Sequence, residues 1–187
     1  IHGFNGSWAW AYGNYIPNQD SAAVYETSDG GDTWNLMNLP FMQSTRPAHM
    51  HFLNEDSIIV YGGRLSSGLQ TKVHIWYSWD FGDNWNRVPD STLSLLPNEQ
   101  IITISPSSHS AQFNDHLWFG TSRGRVFKTN DAGKNWESHS VVSNEAIVTI
   151  SFKDELTGVA ATGDMSFSSD LHQTKDGGLT WNPLSTS

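Results

Sequence analysis

The side chains of this chain that could do chemistry are a recurring acid, a histidine pair, a few arginines and some scattered loop acids. Asp29, Asp80, Asp131 and Asp176 each follow a Ser or Thr by two residues and precede a Gly by two and a Trp by five, in TSDGGDTW (27–34), SWDFGDNW (78–85), TNDAGKNW (129–136) and TKDGGLTW (174–181). An acid held between a hydroxyl and a glycine is turn chemistry, because short polar side chains place their oxygens on nearby backbone N–H groups. Thr27, Ser78, Thr129 and Thr174 supply the hydroxyls, and Gly31, Gly82, Gly133 and Gly178 supply a positive φ. Trp34, Trp85, Trp136 and Trp181 then open a strand with a ring large enough to bury. The alternating acids and closing Glu of a calcium loop are missing, so these carboxylates are read as structural rather than metal-binding.

His49 and His51 fall on one side of a strand by the two-residue period and form a possible metal pair. A zinc site needs at least a third protein ligand, and the sequence offers none, so no metal and no cofactor is expected. Arg46, Arg64, Arg87, Arg123 and Arg125 could grip carboxylates in bidentate fashion. Arg123 and Arg125 are instead read as flanking a tight hairpin at Gly124. Asp90, Glu99, Asp164 and Asp170 are loop acids that could form the opposed pair of a glycoside hydrolase, but nothing in the sequence pairs them.

The elements that hold these residues follow from the period. The four acids stand 51, 51 and 45 residues apart, the length of one four-stranded propeller blade. Between the boxes lie segments with strand alternation and β-branched or aromatic residues. They are SWAWAYG (7–13), AAVYETS (22–28) and TWNLM (33–37); HMHFL (49–53), SIIVYGG (57–63), KVHIWYS (72–78) and NWNRV (84–88); IITIS (101–105), HLWFGTS (116–122), RVFKTN (125–130) and NWESH (135–139); AIVTISF (146–152), TGVAATG (157–163), LHQTK (171–175) and TWNPL (180–184). The expected fold is all-β: four blades over about 1–39, 47–89, 100–140 and 145–185, forming a single segment, 1–187, of a larger propeller of about six to eight blades. A self-closed ring of four is the alternative. No long amphipathic helix is expected.

Bulk properties narrow the function. With 10 Lys plus Arg against 19 Asp plus Glu the chain carries a formal −9, so a nucleic-acid backbone is an unsuitable partner. No apolar run approaches the length of a membrane-spanning helix. The absence of Cys excludes disulfides and thiolate metal sites.

On the four boxes, the chain resembles the Asp-box (BNR-like) repeat β-propeller family. In texture, DGGxTW with an inner strand ending in Phe, it is closest to photosystem II assembly-factor-like propellers and to propeller proteins exported by the type IX system of Bacteroidota. The resemblance implies boxes joining third and fourth strands on one rim and binding by loops of the opposite rim, here 13–20, 39–48, 63–72, 88–100 and 163–170. It further implies a non-catalytic, secreted, cell-surface or periplasmic scaffold that binds a protein or glycan, without direct membrane insertion and alongside further blades or domains of a parent chain. Tyr15, Phe41, Arg46, Arg64 and Phe167 are its first candidate contacts, with His49 and His51 beside them on the inner strand. Sialidases also carry Asp boxes and clamp a substrate carboxylate with three arginines. Ser44-Thr45-Arg46-Pro47 only loosely echoes their motif, and no nucleophilic Tyr can be assigned. Two alternatives stay open: part of a sialidase or other glycoside hydrolase, and an assembly factor for a membrane complex. Asp20-Ser21-Ala22, Asp56-Ser57-Ile58 and Asp90-Ser91-Thr92 resemble the O-glycosylation acceptor of Bacteroidota.

Overall fold

The computed structural model describes residues 2–3, 6–13, 23–40, 46–54, 56–66, 69–101, 110–163 and 169–184; at 2–3, 13, 46–48, 63–66, 69–73 and 169 only the backbone is described. The described residues form four antiparallel sheets, each with its strands in chain order. Sheet 1 holds β1 (His2–Gly3), β2 (Ala9–Gly13), β3 (Ala23–Thr27) and β4 (Asn35–Leu36), and sheet 2 holds β5 (Arg46–Phe52), β6 (Ile58–Ser66), β7 (Leu69–Ser78) and β8 (Asn86–Arg87). After one helical turn, α1 (Asp90–Leu93), sheet 3 holds β9 (Ser110–Phe113), β10 (His116–Gly120), β11 (Arg125–Thr129) and β12 (Glu137–Ser140). Sheet 4 holds β13 (Ala146–Phe152), β14 (Gly158–Gly163), β15 (Ser169–Thr174) and β16 (Asn182–Pro183). This is a run of β-propeller blades, with a box between the third and fourth strand of each sheet.

The sequence-based strands need three corrections. The first strand of sheet 3 is Ser110–Phe113, not 101–105; Ile101 makes only an isolated bridge to Thr121, and 102–109 lie outside the described residues. The cause is a tight turn. Asn114 takes φ 50° and His116 pairs with Phe113, so two residues connect strands that Phe52 and Phe152 reach across longer turns. The segment 63–72 is not a plain loop, because β6 and β7 stay paired out to Ser66 and Leu69. The segment 88–100 contains α1.

Packing follows from the period-two alternation of strands. In sheet 2, Ile58 and Val60 face sheet 1 and join Trp10, Val24, Leu39, Met50 and Phe52. Their neighbours Ile59 and Tyr61 face sheet 3 and join Leu117, Phe119 and Phe127. Trp118 and Val126 then meet Ile147, Ile150 and Ala160 of sheet 4. Strands buried on both faces read as unbroken apolar runs, which explains IIVY at 58–61 and LWF at 117–119. The box tryptophans Trp85, Trp136 and Trp181 pack back into the cluster shared with the preceding sheet. The end sheets are different: Tyr25, Trp34 and Leu36 of sheet 1 and Val159, Leu171 and Leu184 of sheet 4 are exposed.

Candidate functional site

The box rim has its carboxylates fully engaged. Thr129 Oγ1 donates to Asp131 Oδ1 (2.9 Å) and accepts from Gly133 N (2.9 Å), while Asn135 donates its backbone N (2.9 Å) and its side-chain Nδ2 (2.7 Å) to Asp131. The same set recurs around Asp29, Asp80 and Asp176. Each glycine takes positive φ: 99° at Gly31, 92° at Gly82, 86° at Gly133 and 93° at Gly178. Bonds to the ionised form favour it. Those from Thr33, then Thr27, bring Asp29 down to about 2, and those from Thr180, then Thr174, do the same for Asp176. Backbone bonds from box to first turn (Phe81 N to Asp56 O, Ala132 N to Asp115 O, Gly177 N to Leu156 O) put the boxes and the first-to-second strand turns on one rim.

The second-to-third strand hairpins and the connections between sheets form the other rim. Arg46 begins β5 with Gly63 as its partner, so Arg46 and Arg64 come together in the backbone at the end of sheet 2. Tyr15, Phe41 and Phe167 lie outside the described residues, as does Asp164. Asp90 is exposed and pairs with Arg87, and Asp170 is exposed on β15.

Glu99 is the most constrained acid described on this rim. Its buried carboxylate takes Arg125 Nε at 2.9 Å and Arg125 NH2, Thr121 Oγ1 at 2.7 Å and Leu96 N at 2.8 Å. Burial raises its proton affinity, but bonds from Arg125, Leu96 and Thr121 outweigh that and leave it below the usual carboxylate range. A glycosidase acid needs the opposite shift. Arg125 also reaches Ser138 Oγ (2.9 Å) and Ser94 O (3.1 Å), which ties the sheet 2–3 connection to the β10–β11 hairpin. That hairpin turns at Gly124, φ 72°, between Arg123 and Arg125. Arg123 donates to Asn144 Oδ1 at 3.1 Å.

His49 is buried, and its ring stacks with those of His51 and Tyr61. His51 joins two sheets, with Nδ1 3.3 Å from Gln112 Oε1 and Nε2 3.2 Å from Ser110 Oγ, both on β9. Hydroxyl, imidazole and amide stand here in the order of a nucleophilic relay. Desolvation first, and then His49, lower His51 to about 4, with Gln112 opposing, which leaves a weak base. The arrangement is an inter-sheet polar link. Among the described residues no group of three His, Cys, Asp or Glu could hold a metal.

Sequence reasoning missed Glu99–Arg125 as a pair and Ser110–His51–Gln112 as a link, because both join residues across sheets or loops. The Phe that ends β9, like Phe52 and Phe152, was the available signal for Ser110 and Gln112. Ser57, in one of the acceptor-like triplets, is 7% exposed and so unavailable for modification.

A family model for Sortilin-Vps10, described as "Sortilin, neurotensin receptor 3", matches residues 2–100. The chain is 27% identical over 115 residues to the "Photosystem II stability/assembly factor HCF136, chloroplastic" of Arabidopsis thaliana, covering 62% of this chain and 25% of that protein. It is 31% identical over 117 residues to the "Photosystem II assembly lipoprotein Ycf48" of Synechococcus sp. (strain CC9902), covering 62% of this chain and 30% of that protein. It thus spans less than a third of the length of the curated relatives it matches. A solved structure described as "YCF48 bound to D1 peptide" aligns with a TM-score of 0.53 at 19% identity, over 96% of this chain and 58% of that one. At that identity the likeness shows the fold.

Proposed function

The chain belongs to the Sortilin-Vps10 family, and from that premise we propose that it is a non-catalytic β-propeller scaffold that binds a segment of another protein and serves the assembly of a membrane complex. The observation that carries this reading is the sequence likeness to two proteins named as photosystem II assembly factors. A relative of the same name bound to a D1 peptide supports a peptide segment as the ligand class. Names that describe a chloroplastic protein and a lipoprotein support a location outside the cytoplasm, where the chain could act at a membrane without entering it. No helix among the described residues is long and apolar enough to cross one.

The binding surface in this reading is the rim opposite the boxes. Variable loops on a stiff scaffold commonly carry binding, and the backbones of Arg46 and Arg64 are neighbours there at the end of sheet 2. Tyr15, Phe41 and Phe167 fall in neighbouring loops of the sequence. The box carboxylates and Glu99 are spent on internal bonds, which favours a scaffold. The test is affinity purification of the tagged chain from solubilised membranes of its source organism, with cross-linking to map the contact. The expected result is recovery of subunits of one membrane complex, cross-linked at the loop rim and lost when Tyr15, Phe41, Arg46, Arg64 and Phe167 are all changed to Ala. Recovery unchanged in that variant would sink the placement. Release of a chromogenic sugar by the chain would sink the non-catalytic reading.

A further inference from the structure

The box of sheet 2 carries a ring that the other three boxes show to be dispensable for the turn. Between its hydroxyl and its acid stands Trp79, where the boxes of sheets 1, 3 and 4 have Ser28, Asn130 and Lys175. The ring is nonetheless fixed in place: Nε1 donates to Ala132 O at 2.9 Å, and Tyr77 stacks on it with centroids 4.4 Å apart. Trp79 stays 39% exposed, whereas Trp118, the indole that donates to Gly177 O at the next junction, is wholly buried. The ammonium of Lys134, itself an exposed residue, lies 5.0 Å from the Trp79 ring centroid. This indole face already holds a cation.

The segments around the ring are acidic, and hydrogen bonds make them one surface. Phe81 N to Asp56 O joins the box of sheet 2 to its own first turn, Trp79 joins that box to the box of sheet 3, and Ala132 N to Asp115 O joins the latter to its first turn. These segments carry Asp56, Asp80, Asp83, Asp115 and Asp131, and Lys134 is the only cation among their described residues. The box acids keep their charge: bonds from Asn84, and then from Ser78, hold Asp80 below the usual carboxylate range. With their oxygens committed to the turn, they act on a ligand through their field rather than by contact. The patch lies where sheets 2 and 3 meet, and each of those sheets has its further neighbour in the stack.

We propose that this patch docks a basic segment of another protein, one arginine or lysine of which takes the place of Lys134 over Trp79. Charge complementarity names the occupant. A surface of five acids and one lysine attracts a cationic chain and repels an acidic one, and an indole face offers its attraction to guanidinium or ammonium but not to carboxylate. Arginine suits it best, because a planar, weakly hydrated guanidinium stacks on an aromatic face. The bond to Ala132 O and the Tyr77 ring hold Trp79 in position beforehand, so docking costs little ordering of the site. The patch is on the box rim, opposite the loops assigned to the scaffold's partner, and it does not depend on what those loops bind.

The test is a titration of the 15N-labelled 187-residue chain with a synthetic Gly-Ser peptide carrying spaced arginines, and with its counterpart carrying glutamates, followed by the indole N–H signals. The arginine peptide shifts the Trp79 Nε1–H signal and the glutamate peptide does not. Lys134→Gln removes the competing ammonium and tightens binding by about two- to fivefold, the worth of one exposed cation–π contact. Lys175→Gln makes the same change of charge in the box of sheet 4, away from any such ring, and alters affinity by less. Trp79→Asn, which installs the residue that the box of sheet 3 carries at this position, keeps the far-ultraviolet circular dichroism and weakens binding by about fivefold or more. Arginine-peptide binding that leaves the Trp79 signal unmoved is the general attraction of an acidic chain and would overturn the proposal. Equal tightening by Lys134→Gln and Lys175→Gln would do the same, as would a folded Trp79→Asn variant that binds as well as the parent.

Discussion

Replacing Thr129 by Val removes one hydroxyl from the box of sheet 3 and changes little in shape; the bond it gives the box carboxylate is lost equally at Thr27, so the difference between the two boxes reports on the donor left behind. That donor is Gly133 N, 2.9 Å from Thr129 Oγ1, in a buried glycine packed against Ile59 of sheet 2. With no water able to replace the lost acceptor, the penalty is that of an orphaned buried N–H, about 1–3 kcal/mol. Thr27→Val removes the same hydroxyl from the same bonds in sheet 1, where Gly31 N is also 2.9 Å away. Gly31 is only half-buried and no sheet among the described residues lies over it, so water takes the place of the hydroxyl and the cost falls to the net worth of one hydrogen bond, about 0.5–1.5 kcal/mol. For a chain of this length Thr129→Val lowers Tm by about 2–12 °C, and Thr27→Val by visibly less. Urea titrations followed by tryptophan fluorescence and circular dichroism give the two free energies, and amide exchange at Gly133 and Gly31 localises the change. Equal costs, or a larger cost at Thr27, would refute the argument that neighbour packing rather than box chemistry sets the value.

Four further outcomes follow from the same structure. Gly124→Ala destabilises the chain by about 2–5 kcal/mol in a denaturant titration, combining a positive φ of 72° with a Cβ placed 2.0 Å from Val142 O, a conformational cost plus an overpacking cost. Arg125→Met leaves the Glu99 carboxylate buried without its partner and costs about 3–5 kcal/mol; adding Glu99→Gln recovers part of it, and a strictly additive double variant would show that the pair does not couple. Because Asp29 and Asp176 titrate near 2 rather than 3.8 when folded, their contribution is present above about pH 4 and is lost as pH falls toward 2. Asp29→Asn and Asp176→Asn therefore flatten the acid limb of the stability curve. His51 acts over a higher window. Desolvation lowers it from 6.5 to about 4, so the unfolded chain binds the extra proton and stability declines as pH drops from 6.5 toward 4; His51→Gln removes that slope, and an unchanged slope would place the titration elsewhere.

The structural identity of the boxes to within 0.2 Å in their principal bonds conceals a difference in setting. Gly82, Gly133 and Gly178 serve both the turn and the fit between sheets, whereas Gly31 serves the turn alone. Gly31→Ala therefore meets only the conformational cost, about 1–2 kcal/mol.

The residues alone determined the period, the all-β class, the turn at every box and most strand positions, because each of these depends on neighbours a few residues apart: a hydroxyl two before an acid, a glycine two after, an alternation with period two. Tertiary structure decided the rest. Ile101 opens a β-branched run that reads as a strand, yet Ser110–Phe113 takes the place beside β10, since the tight Asn114–Asp115 turn is what sets the register there. Glu99 is a loop acid until the fold brings Arg125 onto it, and His51 is one of a pair until β9 sets Ser110 and Gln112 against its two nitrogens. The setting of each box is likewise a property of the stack: Trp34 and Trp136 have the same local sequence logic, yet Trp136 packs into the cluster that sheets 2 and 3 share while Trp34 is exposed among the described residues. Contacts between sheets join residues dozens of positions apart, and no local pattern encodes such pairs.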